Sequence, residues 1–269
     1  MKTVIALDLD GTLTNSEKQV TPLTRNALLR AQSLGATLVL ASGRPTYGIA
    51  PVAKCLELEE RGGYLLSYNG GKIVDWRTKQ ELFSAHLPAQ VIPQIHAYAR
   101  SHGYALLGYV GGEIVSERCT DEYAKEESRI NQMPLRYVEN LLAAIDDAPT
   151  KLLLTGHPDH MLRAEQELSA QLGGEMEVYR SAPFFVELVA KGIDKAQSLQ
   201  RLLAHLQLSA ADLWAFGDGY NDLSMIRLAA CGVAMANAAP EVRAEANFVT
   251  LSNDEDGVGK FLEEHLLAE

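Results

Sequence analysis

Short apolar runs alternate with stretches of helical period over the first part of the chain, and each run ends in small or polar residues. The first run, Val4-Ile5-Ala6-Leu7, stops at Asp8-Leu9-Asp10-Gly11-Thr12. An apolar run that breaks at once into carboxylates and a glycine predicts a buried parallel strand delivering polar groups to the edge of a sheet. Thr21-Pro22 then offers an N-cap and a proline at the first helical position. Leu23, Ala27, Leu28, Ala31 and Leu34 follow at helical spacing, and Gly35 ends the helix. Ala36 to Ala41 reads as a second strand, ending in Ser42-Gly43-Arg44-Pro45 before a helix through Ile49, Val52, Ala53 and Leu56. A third strand, Tyr64 to Tyr68, ends in Asn69-Gly70-Gly71. Strands alternating with helices predict an α/β fold with a doubly wound parallel sheet, whose sites lie along the C-terminal edge of the strands.

Past Ser84 this rhythm is lost. Lys72 to Phe83 reads as a hairpin turning near Arg77-Thr78-Lys79. Beyond it come a helix (89–102), a hairpin turning at Gly111-Gly112, a charged helix from Asp121, and a helix over Val138 to Ile145. A strand (151–155), a helix from Pro158 to about Leu172 and a strand over 175–180 complete the block. This pattern predicts a separate, partly antiparallel α+β domain over 84–184, inserted into a discontinuous α/β core of 1–83 and 185–269. The core rhythm is expected to resume with Phe184 to Val189. Lys191-Gly192-Ile193-Asp194-Lys195 then leads into a helix carrying Leu199, Leu202, Leu203 and Leu206. Leu213 to Phe216 runs into Gly217-Asp218-Gly219-Tyr220-Asn221-Asp222, two short strands close the sheet, and a helix runs from Asp256 through Leu266.

Composition narrows the classes of function. With 269 residues, 47% hydrophobic and 22% charged, the chain has the make-up of a globular protein. Its formal net charge of -11 argues against nucleic acid or an anionic membrane as partner. Met1-Lys2-Thr3 runs straight into the first strand, and no apolar stretch approaches the length of a membrane span, so a cytoplasmic location is expected. Cys55, Cys119 and Cys231 are odd in number and scattered, which suits small core residues and neither a disulfide frame nor a zinc site. A monomer or weak homodimer is expected.

The chemistry is concentrated at strand ends. If Asp8 and Asp10 continue the strand, they point to the same side and meet within a few ångströms. Two anions that close call for a cation, and oxygen ligands suit a hard one such as Mg2+. Later strand ends add Ser42, then Lys191 or Lys195, then Asp218, Asn221 and Asp222. On adjacent parallel strands these groups converge into what phosphoryl transfer requires: carboxylates for a metal, a hydroxyl and N–H groups for phosphoryl oxygens, and an ammonium. Arg44 and the histidines are read as surface or core residues.

Taken in order, Asp8-Leu9-Asp10-Gly11-Thr12, Ser42-Gly43-Arg44, the downstream lysine and Gly217-Asp218-Gly219-Tyr220-Asn221-Asp222 resemble the four signatures of the haloacid dehalogenase (HAD) superfamily. The large insert, Tyr68-Asn69-Gly70-Gly71 and Gly232-Val233-Ala234-Met235-Ala236-Asn237-Ala238 resemble its Cof-type phosphatases. The resemblance implies a HAD core with an inserted cap that closes over the site as a lid, and a Mg2+-dependent phosphatase acting on a small phosphorylated metabolite, sugar phosphates leading. It implies Asp8 as the nucleophile and Asp10 as the acid and base. The metal is expected on Asp8, the Leu9 carbonyl, Asp10, Asp218 and Asp222, and the phosphoryl group on Ser42, Gly43, Lys195 and Asn221. Lys195 is preferred to Lys191 because it stands at the strand-to-helix turn. A phosphomutase on the same core, or a non-enzymatic phospho-acceptor domain, are the alternatives.

Overall fold

The residues of the first strand divide between two cores. Ile5 and Leu7 face one apolar cluster while Val4 and Ala6 face another, which is the period-two alternation of a strand covered on both sides. The structure, a computed structural model, describes residues 2–145 and 148–268. They form two units: residues up to Phe83 with those from Asp194 onward, and Ser84–Ile193.

In chain order the elements are β1 (Val4–Leu7), α1 (Pro22–Ser33), β2 (Thr37–Ala41), α2 (Thr46–Cys55), α3 (Leu58–Arg61), β3 (Tyr64–Ser67), β4 (Lys72–Asp75) and β5 (Glu81–Ser84). There follow α4 (Ile92–His102), β6 (Ala105–Val110), β7 (Glu113–Ser116), α5 (Glu122–Asn131), β8 (Leu135–Tyr137), α6 (Leu141–Ala144), β9 (Lys151–Thr155), α7 (Pro158–Leu172), β10 (Met176–Ala182) and β11 (Phe185–Ala190). The chain ends with α8 (Lys195–His205), β12 (Leu213–Gly217), α9 (Leu223–Leu228), β13 (Cys231–Ala234), α10 (Pro240–Ala244), β14 (Phe248–Val249) and α11 (Gly257–His265).

The first unit is a sheet of order β14-β13-β12-β1-β2-β3-β4-β5. Strands β14 through β3 are parallel, and β4 turns back antiparallel to β3. Helices α1, α2 and α11 cover one face through Leu28, Ile49 and Phe261, and α8 and α9 cover the other through Leu199, Leu202 and Met225. Helix α1 starts as its sequence directs, with Thr21 accepting from the Thr24 N–H and Pro22 in the first turn. Leu23 and Leu34, read as part of its apolar stripe, are instead exposed.

The second unit carries a sheet of order β10-β11-β9-β6-β7-β8. Helices α4, α6 and α7 pack on one face and α5 on the other. Here the sequence reading needs two corrections. Strand β11, assigned to the core from its unbroken apolar run, pairs antiparallel with β9 and β10, so the unit extends to Ile193 and not to 184. Burial of β11 on both faces mimics a parallel core strand. The helix expected over Val138 to Ile145 is only the turn of α6, and β8, unforeseen, lies just before it. Of the three cysteines only Cys231 is fully in a core; Cys55 and Cys119 are half-buried, and all three are free thiols. No helix among the described residues is long and apolar enough to cross a membrane.

Phe216, the last apolar residue of β12 before the acidic loop, is fully buried and meets the Phe261 ring edge-on, with centroids 5.5 Å apart. Phe216→Ala is expected to lower unfolding free energy by about 3–5 kcal/mol. The check is a lower urea midpoint at unchanged slope.

Candidate active site

Parallel register brings the ends of β1, β2, β3 and β12 to one edge. Leu7 lies opposite both Leu40 and Phe216, and Ala41 lies opposite Leu66. The residues that follow, Asp8, Ser42, the turn after Ser67, and Asp218, therefore emerge side by side on strands about 5 Å apart. Asp8 donates its N–H to the Phe216 carbonyl at 3.0 Å, which ties the start of the first loop to β12.

At the centre is Lys195, the first residue of α8. It is 1% exposed, and Asp194 caps its helix. Its ammonium sits 2.7 Å from Asp8 Oδ1 and 2.6 Å from Asp222 Oδ1. Burial alone would lower the lysine, but Asp222 and Asp8 reverse that and hold it charged, well above its ordinary value. Asp222, 1% exposed, also accepts the N–H groups of Asp218 and Gly219 on Oδ2, at 3.0 and 2.9 Å. It thereby fixes both the lysine and the acidic loop. Lys191, the other candidate, is exposed and belongs to the second unit.

Asp8, Asp218 and Asp222 bring one carboxylate oxygen each within 4.8 Å of one another. Burial first, then Asp222, push Asp8 up to about 8 against the pull of Lys195. Burial likewise raises Asp218, opposed by the Thr12 hydroxyl that donates to its Oδ1 at 2.7 Å. Three carboxylates around one ammonium leave uncompensated negative charge, and hard oxygen donors in that state fit a divalent cation such as Mg2+. Gly11 makes the approach possible: its φ is +88°, and a Cβ there would lie 2.4 Å from Asp218 Oδ2.

Two expected metal contacts need correction. Asp10 is not one of the three carboxylates gathered within 4.8 Å, and it follows β1, which ends at Leu7. Its carboxylate lies instead against Arg44, at 2.8 and 2.7 Å, and Lys18, at 2.8 Å, outside the acidic group. Burial would raise Asp10, but these two cations hold it below the usual carboxylate range. The Leu9 carbonyl is turned into its own loop, where it accepts the N–H and hydroxyl of Thr14, both at 2.9 Å. Asp222 does stand in the acidic group, with one oxygen on Lys195 and the other on two backbone N–H groups. Asp8 and Asp218 remain as the strongest candidate ligands.

Ser42 is buried, and its Oγ accepts the Arg44 N–H at 3.2 Å. Asn221 is exposed at the head of the turn leading into α9 and reaches Asn69, at 3.0 Å. The sequence reading passed over Arg44 as a surface or core residue, although it stands at the same strand end as Ser42; its spacing from that strand was the available signal. Thr12, Lys18 and Asn69 were likewise given no role.

A family model described as haloacid dehalogenase-like hydrolase matches residues 5–262. The chain is a haloacid dehalogenase-like hydrolase. It is 32% identical over 274 residues, covering the whole of both chains, to a Bacillus subtilis (strain 168) protein named as a candidate phosphatase, YxeH. Pyridoxal phosphate phosphatase YbhA of Escherichia coli (strain K12) is 30% identical over 274 residues, with 98% of each chain covered. Among solved structures, a haloacid dehalogenase-like hydrolase from Bacteroides thetaiotaomicron matches with a TM-score of 0.95 and 46% identity, over 97% of this chain and 98% of that one. This hydrolase is accordingly a phosphomonoester hydrolase of the Cof type, with an α/β core and an inserted α+β domain.

Replacing the ammonium tests the electrostatics. Lys195→Met leaves Asp8 and Asp222 buried without their cation, which costs about 3–5 kcal/mol. Without the lysine, Asp8, already raised by burial, titrates higher still in the folded state than in the unfolded one. The loss is therefore smaller near pH 5 than near pH 8, and urea unfolding at the two pH values without divalent cation checks it.

Proposed function

We propose that this hydrolase is a Mg2+-dependent phosphatase of small phosphorylated metabolites, sugar phosphates foremost, that works through an aspartyl-phosphate on Asp8. The observation that carries the reading is the buried Asp8 carboxylate, held by Lys195 at 2.7 Å beside Asp218 at the end of β1 in a chain of this family. A relative that acts on pyridoxal phosphate supports the small-metabolite class.

Asp8 attacks phosphorus; an Asp8 oxygen–phosphorus bond forms as the ester oxygen leaves, taking a proton from Asp10. Asp10 next takes a proton from water, the water oxygen attacks the phosphoryl group, and Asp8 is released with inorganic phosphate. Ionised Asp10, paired with Arg44 and Lys18, is ready for the second step. For the first step it must take up a proton, so the incoming substrate displaces at least one of those cations. Ser42, the Gly43 N–H, Lys195 and Asn221 hold phosphoryl oxygens. Mg2+ on Asp8 and Asp218 would supply charge neutralisation as the phosphoryl group transfers. Asp222 keeps Lys195 and the Asp218 loop in place.

Incubation with Mg2+ and a panel of phosphorylated metabolites is expected to release orthophosphate, most readily from sugar phosphates. Asp8→Asn is expected to lower turnover by about a thousandfold or more, since the amide is no nucleophile, with circular dichroism unchanged. Substantial activity in Asp8→Asn would refute the covalent role. The elevated Asp8 also gives metal binding a pH dependence, because Mg2+ takes the ionised form. Mg2+ affinity, read by calorimetric titration, is expected to rise from about pH 6 to pH 8 and then level off. Equal affinity across that range would mean that Asp8 is ionised without the metal.

A further inference from the structure

The turn after β3 binds three of the chemical segments together. Tyr68, Asn69 and Gly70 all have positive φ, at 54°, 56° and 100°. Two successive non-glycine residues in left-handed backbone persist only where surrounding bonds fix them, and here those bonds come from the active-site loops. The Tyr68 N–H donates to the Arg44 carbonyl at 3.0 Å, and the Asn69 N–H to the Ser42 carbonyl at 2.9 Å. Ser198, on the helix that begins with Lys195, donates its hydroxyl to the Gly70 carbonyl at 2.6 Å. The Asn221 amide donates to Asn69 Oδ1 at 3.0 Å.

We propose that Asn69 is a positioning residue for the phosphoryl group, acting through Asn221 and Gly43; this rests on the phosphatase reading above. A carboxamide NH2 has two donors. Asn69 takes one from Asn221, which fixes the amide plane and aims the second N–H. In a trans peptide the carbonyl and the next N–H point in opposite directions. Holding the Ser42 carbonyl on the Asn69 N–H therefore turns the Gly43 N–H away from the turn. A Cβ at Gly43 would stand 3.2 Å from both amide atoms of Asn69, so a larger residue there would have to push that amide aside by a few tenths of an ångström. Asparagine suits position 69 because it tolerates left-handed backbone better than other side-chain-bearing residues and brings its own acceptor.

Asn69→Gly keeps the backbone conformation accessible and removes only the amide. With p-nitrophenyl phosphate, KM is expected to rise roughly tenfold with kcat changed by less than about threefold, and the inhibition constant of inorganic phosphate to rise in step. The thermal midpoint should stay put. Asn221→Ala is expected to give the same roughly tenfold loss, and the double variant no more than that, since both act through one hydrogen bond. Independent losses that multiply to roughly a hundredfold, or phosphate inhibition unchanged in Asn69→Gly, would overturn the role. If Asn69→Gly lowers the midpoint, the same cycle is run with Asn69→Ala and judged by the same coupling. A wild-type enzyme inactive on every phosphomonoester would sink the phosphatase reading itself; an active one with an uncoupled pair sinks only this inference.

Discussion

A single ammonium, that of Lys195, makes the site possible. Carboxylates as enclosed as Asp8 and Asp222 cannot remain ionised in an apolar interior on their own, since the cost of dehydration is several kcal/mol per ion. The lysine bonds both at once from 2.6–2.7 Å and offsets part of that cost, although Asp8 is still pushed up to about 8. Asp222 in turn fastens the Asp218 loop to the same point, so helix α8, strand β1 and the loop after β12 share one electrostatic anchor. One positive charge against three negative ones leaves a deficit. A divalent cation on these oxygens would offset that deficit.

The two aspartates of the first loop live in different electrostatic worlds although one residue separates them. Asp8 is buried among other carboxylates and pushed up; Asp10, farther out, is clasped by Arg44 and Lys18 and pulled down. Opposite shifts on neighbouring carboxyl groups are how one site assigns different chemical tasks to the same functional group. The device that separates them is the end of β1 at Leu7: a chain that has left the strand no longer sends alternate residues to one side.

The core sheet could be read from sequence because its strands are apolar on both faces and each ends in a turn with chemistry on it. Asp8, Ser42 and Asp218 were legible for the same reason, and Lys195 as the first residue of a capped helix. What escaped were features that depend on how the loops fold back and on which partners they meet. The unbroken apolar run of β11 says that both faces are covered but not by which unit. The Leu9 carbonyl looks available until Thr14 folds back onto it. Arg44 resembles any exposed arginine until Asp10 turns toward it, and Asn69 looks like an ordinary loop residue before a glycine.

Strand β1 lies between β2, which follows it closely, and β12, whose Leu213 pairs with Val4. During synthesis the amino-terminal third can therefore close only one side of that strand. The other side waits while the whole intervening unit is made, on the order of ten seconds at ordinary elongation rates. The intervening unit has every strand of its own sheet by Ala190, so it can finish folding while its host is still half a sheet. Nascent chains shorter than Lys195 hold Asp8 without the counter-charge that tames it, and enzymatic competence arrives late and all together.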